Sequence, residues 1–427
     1  MNQPRGHGRM PDIALFEPER HEALGGAPWS EERARAAIGA IVEGVVRERL
    51  PGSAWPRWPL HPLDADGDAP RTGFKGLYLG SAGVLWALAC LQREGAVPQA
   101  LDAAAGIEQA AAAYLDEPDT GAVLPSYFLG EAGVQLVRWR LTGAPDAQER
   151  LFASIRSNIA NPTNEALWGA PGTMVAAWHL WQATGQERWR RLFLDNVDEV
   201  WRTWLPDEKA GCHLWTQDLY GKVVQYFGAG HGFAGNAYPL LKGAALLDDE
   251  RREILYERCV TMLRMTAKRA GREDGELGGD GAVNWPAGTF TPRAGSTSML
   301  MQWCHGAPGF ITALADFPAG RSAEFDDLLV RAGRAVWRAG PLAKGHGLCH
   351  GTAGNGYAFL KLFRRTGDAL WLERARAFAM HAVMQCERMR QQYGHGRNTL
   401  WTGDPGLAIF LWHCHTGTAE MPALDFV

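Results

Sequence analysis

Two short stretches carry the residues best suited to chemistry. One reads Trp303-Cys304-His305-Gly306-Ala307-Pro308-Gly309, the other Leu348-Cys349-His350-Gly351-Thr352-Ala353-Gly354. Each sets a Cys-His pair against a Gly-x-x-Gly turn that leads into an apolar run. Two thiolates and an imidazole suit a borderline-soft, tetrahedral ion, with zinc (Zn2+) the first choice. Three protein ligands leave a fourth position open, the arrangement of a catalytic rather than a structural ion. A lone Cys-His pair before a turn is ordinarily a buried thiol and a capping imidazole. Two copies at equivalent points of a repeat are different, because a repeat can bring equivalent points together. Spacing leaves open which histidine would ligate, since His305 and His350 stand in the same relation to their turns.

The repeat that would position them is visible along the chain. Gly-x-x-Gly occurs at Gly80–Gly83, Gly130–Gly133, Gly169–Gly172, Gly232–Gly235, Gly306–Gly309, Gly351–Gly354 and Gly403–Gly406. Seven copies at a mean period of about 54 residues fit one helix pair each, with connections. The segment after each turn is apolar nearly all round, as in Leu407-Ala408-Ile409-Phe410-Leu411-Trp412, which predicts a helix buried on every side. Several of these runs stop at Thr-Gly (Thr142-Gly143, Thr184-Gly185, Thr366-Gly367), where glycine serves as a C-cap. The segments that follow, such as Glu187–Phe193 and Asp368–Arg376, are amphipathic, so each repeat pairs a buried helix with a half-exposed one. Closing seven pairs into a ring explains why every first helix is so apolar. The expected fold is therefore all-α, an α/α toroid of seven inner and seven outer helices with the glycine turns around one mouth. Glycine suits those turns through positive φ and close backbone approach.

Composition limits the partners. Of 427 residues, 46% are hydrophobic and 21% charged, and the formal net charge is −4, which gives no reason to expect nucleic acid or an anionic membrane. No stretch approaches the roughly 18 uninterrupted apolar residues of a membrane span. The polar start, Met1 to Pro11, lacks the apolar core of a secretory signal. Residues 1–20 read as a loose tail and 21–427 as one toroid domain, the repeat overruling the two or three domains that length alone implies. Seven dispersed cysteines argue against a disulfide framework and for a reducing, cytoplasmic setting. Cys90, Cys259, Cys386 and Cys414 fall in helical patterns as plain thiols.

Two longer insertions precede turns and are expected at the mouth. Pro206–Phe227 carries Cys212, His213 and Tyr220, and Gly271–Ser296 is rich in Gly and Asp. Asp64-Ala65-Asp66-Gly67-Asp68 imitates the start of a calcium loop. It lacks the sixth-place glycine and has Lys75 where the twelfth-place glutamate belongs, so it reads as a polar linker.

With the sevenfold repeat and the two Cys-His-Gly turns in hand, the chain resembles the lanthionine synthetase C-like (LanC-like) family from about Gly73 to the C-terminus. The most specific pieces are Trp303–Gly306, Gly347–Gly351 and Gly230-His231-Gly232-Phe233-Ala234-Gly235. The resemblance implies a toroid with zinc held at its mouth by Cys304, Cys349 and His350, leaving His305 a neighbour. It also implies addition of a cysteine or glutathione thiol to dehydroalanine or dehydrobutyrine in a peptide or protein, forming a thioether. The chemistry is coherent by itself: a metal-stabilised thiolate attacks the β-carbon, and the enolate must then be protonated by a positioned acid.

By the same resemblance His231 is the proton donor, and Glu165 stands where cyclases carry an aspartate. Lys344 and Arg397 match basic residues of the glutathione-using branch, where they could hold its carboxylates. The ending Pro422-Ala423-Leu424-Asp425-Phe426 is also similar to that branch. Trp303-Cys304-His305 departs from the Cys-Tyr-Gly of many bacterial cyclases. The alternatives are a lanthionine cyclase acting on its own ribosomal peptide and a zinc- or glutathione-binding protein without turnover. A toroidal glycosidase would need two facing carboxylates, and only Glu131, Glu165 and Asp404 lie near the turns.

Overall fold

The second glycine of every Gly-x-x-Gly turn is dictated by one carbonyl. A Cβ placed there would lie between 1.7 Å (at Gly354) and 2.3 Å (at Gly235) from the carbonyl oxygen six residues earlier, and all seven turns repeat this. Any side chain would force each turn open, so close approach is the reason for glycine. Positive φ is not: among the first glycines only Gly306 adopts it, at 106°, while the others have negative φ.

The computed structural model describes residues 14–65, 73–98, 101–269, 281–290 and 299–427. Among these are fourteen α-helices. The first seven are α1 (Glu31–Arg47), α2 (Ser81–Arg93), α3 (Ala103–Asp116), α4 (Glu131–Thr142), α5 (Pro145–Ser157), α6 (Ala170–Thr184) and α7 (Glu187–Arg202). The rest are α8 (Phe233–Lys242), α9 (Asp249–Thr266), α10 (Ala307–Ala313), α11 (Ala323–Ala339), α12 (Thr352–Thr366), α13 (Ala369–Tyr393) and α14 (Asp404–Thr416). The even-numbered helices start at the glycine turns and touch one another in sequence, and α14 then touches α2, so seven inner helices form a closed ring. The odd-numbered helices pack outside it.

The contrast between the two sets follows the sequence. In α14 every residue from Asp404 to Cys414 is buried. In α7 only Trp189, Leu192, Phe193, Asn196, Val197 and Val200 are buried, one stripe at helical spacing. Gly143, Gly185 and Gly367 end their helices in the left-handed region, as the Thr-Gly stops predict. The order of pairing differs from the expectation in one respect. No outer helix follows α14; α1, capped by the Ser30 hydroxyl, packs against it instead. The repeat is closed by a helix from the other end of the chain, because the apolar outer side of α14 needs a cover.

Ahead of α1, residues 1–13 of the expected tail lie outside the described residues, but from residue 14 the chain packs. Leu15 is buried and its carbonyl accepts from Asn284 Nδ2 at 2.7 Å. The insertion before α8 forms two short antiparallel hairpins, β1 (Leu205–Asp207) with β2 (Cys212–Leu214) and β3 (Gln217–Leu219) with β4 (Lys222–Val224). Of the second insertion, 271–280 and 291–296 lie outside the described residues.

At the far end of the inner helices from the glycine turns, the C-terminal tail plugs the ring. Tyr127 Oη donates to the Ala423 carbonyl, and His179 Nε2 lies 2.9 Å from that of Leu424. The Asp425 carboxylate lies 2.6 Å from both Lys242 Nζ and Lys361 Nζ, and Lys242 also pairs with Asp316. The Asp425 and Lys361 side chains are each 1% exposed. Burial alone would raise the Asp425 pKa, but the two ammonium groups outweigh it and hold the carboxyl far below its ordinary range. Asp425→Asn would strand Lys361 in the interior and should destabilise the protein by about 3–5 kcal/mol. A carboxyl with a depressed folded pKa contributes stability above its unfolded value, near 3.9, and loses it as pH falls below that. Thermal melts should therefore show the gap between wild type and the Asn variant narrowing below about pH 4.

Candidate metal centre

The two candidate cysteines occupy the same place in consecutive repeats, two residues before the first glycine of a turn. The other repeats put Tyr78, Phe128, Leu167, Gly230 and Trp401 there. Backbone hydrogen bonds join these positions around the mouth. Gly230 N donates to the Cys304 carbonyl, Cys304 N to Cys349, Cys349 N to Trp401, Trp401 N to Tyr78 and Tyr78 N to Phe128, at 2.9–3.2 Å. The repeat thus sets Cys304 directly beside Cys349. The neighbouring turn must be bare for this: a Cβ on Gly230 would come within 2.8 Å of Cys304 Cβ, and one on Gly228 within 2.1 Å of the Cys304 oxygen.

Cys304, Cys349 and His350 present sulfur, sulfur and nitrogen donors that all lie within 4.8 Å of one another. The thiols are buried and tightly coupled. Cys349 donates its S–H to Cys304, and with His350 and His305 nearby this holds Cys304 well below the usual thiol range despite burial. The charge so formed, with burial, keeps Cys349 protonated. Both could ionise only beside a cation, so the donor set and its electrostatics fit a soft divalent ion. Gln302 Nε2 adds a hydrogen bond to Cys304 Sγ at 3.0 Å, and the Tyr78 hydroxyl contacts Cys349.

Among the described residues one other group has suitable donors, His346, Cys386 and Asp404. There the charge is already satisfied: Asp404 accepts from Arg390 Nε at 2.7 Å and lies 2.8 Å from His346 Nε2. A cation would have to displace the half-buried Arg390 guanidinium.

Beside the sulfur pair lies a carboxylate–imidazole pair, Glu165 and His231. Glu165 is fully buried, not the solvated charge a surface loop would give. Its carboxylate accepts from Leu167 N at 3.0 Å and Trp168 N at 2.5 Å, and it lies 2.9 Å from His231 Nδ1. Leu167 is the ladder position of its repeat, so Glu165 takes an amide that elsewhere extends the backbone ring. Burial lowers the His231 pKa, but the Glu165 hydrogen bond and charge and the Cys304 charge outweigh it and raise it. The His305 ring stacks obliquely 5.7 Å from His231, and its buried Nδ1 has no hydrogen-bond partner among the described residues. Tyr226 packs on both imidazoles, 6.0 and 5.7 Å away, and Tyr220 stands edge-on to His231 at 6.0 Å.

Lys344 and Arg397 line one cavity of about 330 Å³, together with Arg388, Gln392 and Tyr393. Lys344 is exposed, with no ion-pair partner among the described residues. Arg397 is buried, and its Nε and Nη2 engage both oxygens of Asp64, which also accepts from Thr402 Oγ1. The start of the supposed polar linker is thus a buried counter-ion. Arg388 and Tyr78 were not singled out in the sequence; for Tyr78, superposing the seven repeats at the position before the turn supplies the signal.

An all-α toroid with a thiol-rich mouth defines a narrow class of proteins. The lanthionine synthetase C-like protein family model matches residues 74–399, and the chain belongs to this family. It is 30% identical over 180 residues to a Danio rerio protein named glutathione S-transferase LANCL1, covering 42% of this chain and 39% of that one. It is 35% identical over 196 residues to the Arabidopsis thaliana LanC-like protein GCL1, covering 44% and 40%. The matched stretches thus span about two-fifths of each relative's length. Nisin cyclase shares the fold, with a TM-score of 0.62 at 14% identity over 90% of this chain and 95% of its own.

If the three donors hold one ion, elemental analysis should find about one zinc per chain in the wild type and none in Cys304→Ala or Cys349→Ala. His350→Ala should lose the metal and His305→Ala keep it. Retention in the first and loss in the second would reassign the third ligand.

Proposed function

We propose that the protein adds a thiol, glutathione in the first instance, across the double bond of a dehydroalanine or dehydrobutyrine residue in a peptide or protein. The single observation behind this reading is the His231–Glu165 dyad set beside the buried Cys304, Cys349 and His350 donors. Those three residues would hold a zinc ion, which when bound keeps the substrate sulfur a thiolate at neutral pH. His231 faces the site with its Nδ1 fixed by Glu165, which leaves Nε2 to deliver a proton. The raised pKa favours its protonated form, as an acid requires. The mouth residues then direct this proton to the α-carbon after the sulfur has attacked the β-carbon. No helix among the described residues is long and apolar enough to cross a membrane.

Lys344 supports glutathione as the thiol, with an ammonium that has no ion-pair partner among the described residues, on a cavity large enough for part of a tripeptide. The Glutathione S-transferase name of the Danio rerio relative supports it too. A second reading, ring closure by a cysteine of the same peptide, is favoured by Asp64, which already neutralises Arg397. Incubation with glutathione and a dehydroalanine peptide, followed by mass spectrometry, separates the two. A glutathione adduct supports the first; a product that has lost its free cysteine without gaining mass supports the second.

His231→Asn should retain metal and fold while lowering kcat by about 100- to 10,000-fold. Glu165→Gln removes the main cause of the raised His231 pKa. The rate loss on the alkaline side, where His231 gives up its proton, should then begin at lower pH than in the wild type. Lys344→Ala should weaken glutathione binding roughly tenfold, about 1.4 kcal/mol, by titration calorimetry. Activity with a small uncharged thiol should be unaffected. Arg397→Ala is the poorer probe, because it strands buried Asp64.

A further inference from the structure

The β3–β4 hairpin reaches over the mouth and places an unusual residue at its tip. Leu219 pairs with Lys222, so the turn is two residues, Tyr220-Gly221, with φ of 53° and 71°. Such a turn favours Asn, Asp or Gly at its first place. A tyrosine held at positive φ is costly, and strain of this kind collects at functional positions. Its residue surface is 65% exposed, so packing does not repay the cost. The hydroxyl, however, is not adrift. It accepts a hydrogen bond from Trp168 Nε1 at 3.0 Å.

Indole N–H is a donor only, so this bond uses a lone pair of the tyrosine oxygen and leaves the phenolic proton free. Among the described residues nothing accepts that proton. Donation from Trp168 also polarises the O–H and strengthens it as a donor. The same tryptophan ties Tyr220 to the acid: Trp168 N binds the Glu165 carboxylate, which holds His231, and the Tyr220 ring stands edge-on to that imidazole. One short segment, 165–168, thus fixes both groups relative to each other.

We propose that Tyr220 is a catalytic residue of the mouth, donating its hydroxyl proton in a hydrogen bond to the carbonyl oxygen of the dehydroamino acid and stabilising the enolate. The inference rests on the thiol-addition reading above. As the C–S bond forms at the β-carbon, the C=C electron pair moves to the carbonyl oxygen, where the Tyr220 O–H meets the new charge. His231 then gives a proton to the α-carbon, the carbonyl re-forms, and His231 recovers a proton from solvent to replace the one the thiol released. The net change is addition of S–H across C=C, with no oxidant or reductant.

The test is steady-state kinetics of the full-length, zinc-loaded chain with glutathione and a synthetic dehydroalanine peptide. Tyr220→Phe keeps the ring and removes the donor; kcat should fall by about 100- to 1,000-fold, the range for loss of one oxyanion donor. KM for the peptide, zinc content and melting temperature should stay at wild-type values. Trp168→Phe should lower kcat in the same direction by less. An unchanged kcat in Tyr220→Phe, or a loss confined to KM, overturns the assignment while thiol addition stands. A wild type that yields no thioether with glutathione or with a peptide cysteine overturns both.

Discussion

The backbone ladder around the mouth is the interaction on which the rest depends. Five amide-to-carbonyl bonds join equivalent residues of successive repeats, and one of them runs between Cys304 and Cys349 themselves. Backbone polar groups at a buried rim must be satisfied, and here the turns satisfy one another. That requirement sets the spacing between turns and therefore between any side chains the sequence mounts on them. Glycine at the fourth place of each turn has a more local cause, the carbonyl oxygen six residues earlier, which leaves no room for a Cβ. The proposed metal ligands need no special loop. They are what this repeat yields when two adjacent rungs carry cysteine.

Chemistry then arises where the regularity stops. At Leu167 the amide binds the Glu165 carboxylate instead of continuing the ring. That places a buried charge one step from the gap, and His231 from the next repeat closes on it at 2.9 Å. Burying a carboxylate is costly unless it is fully bonded, and Glu165 has two amides and an imidazole. The plug at the opposite end obeys the same rule with different groups, Asp425 between Lys242 and Lys361. One end of the ring holds its buried charge beside the candidate site; the other locks it away.

Much of this was legible in the sequence because the repeat is printed there. Seven glycine turns, apolar runs after them and Thr-Gly stops define the toroid, and equal placement of Cys304 and Cys349 brings the donors together. What stayed hidden depends on contacts between segments with no shared pattern. The role of α1 as the cover of α14 could not be read, because α1 precedes the first turn and looks like any amphipathic helix. Asp64 looked like solvated linker because its partner, Arg397, lies 333 residues away. Glycine in the turns was half explained, since sequence does not separate positive φ from close approach. Tyr220 sat in an insertion known to be near the mouth, but only the left-handed backbone and the direction of the Trp168 bond single it out.

The way α1 completes the circle bears on how the protein is made. The candidate donor pair lies within one repeat step, Cys304 to Cys349, so it can assemble as a local unit. The bond from Trp401 to Tyr78 and the packing of α1 on α14 join opposite ends of the chain, and loop entropy and contact order make such closures slow. Until α14 and the tail have left the ribosome, the nascent ring is an open arc with its inner helices bare on one side. The apolar faces that make the finished toroid stable are thus its period of greatest exposure to aggregation. A chain of this architecture stands to gain more from a chaperone that shelters its first six repeats than from one acting on the completed ring.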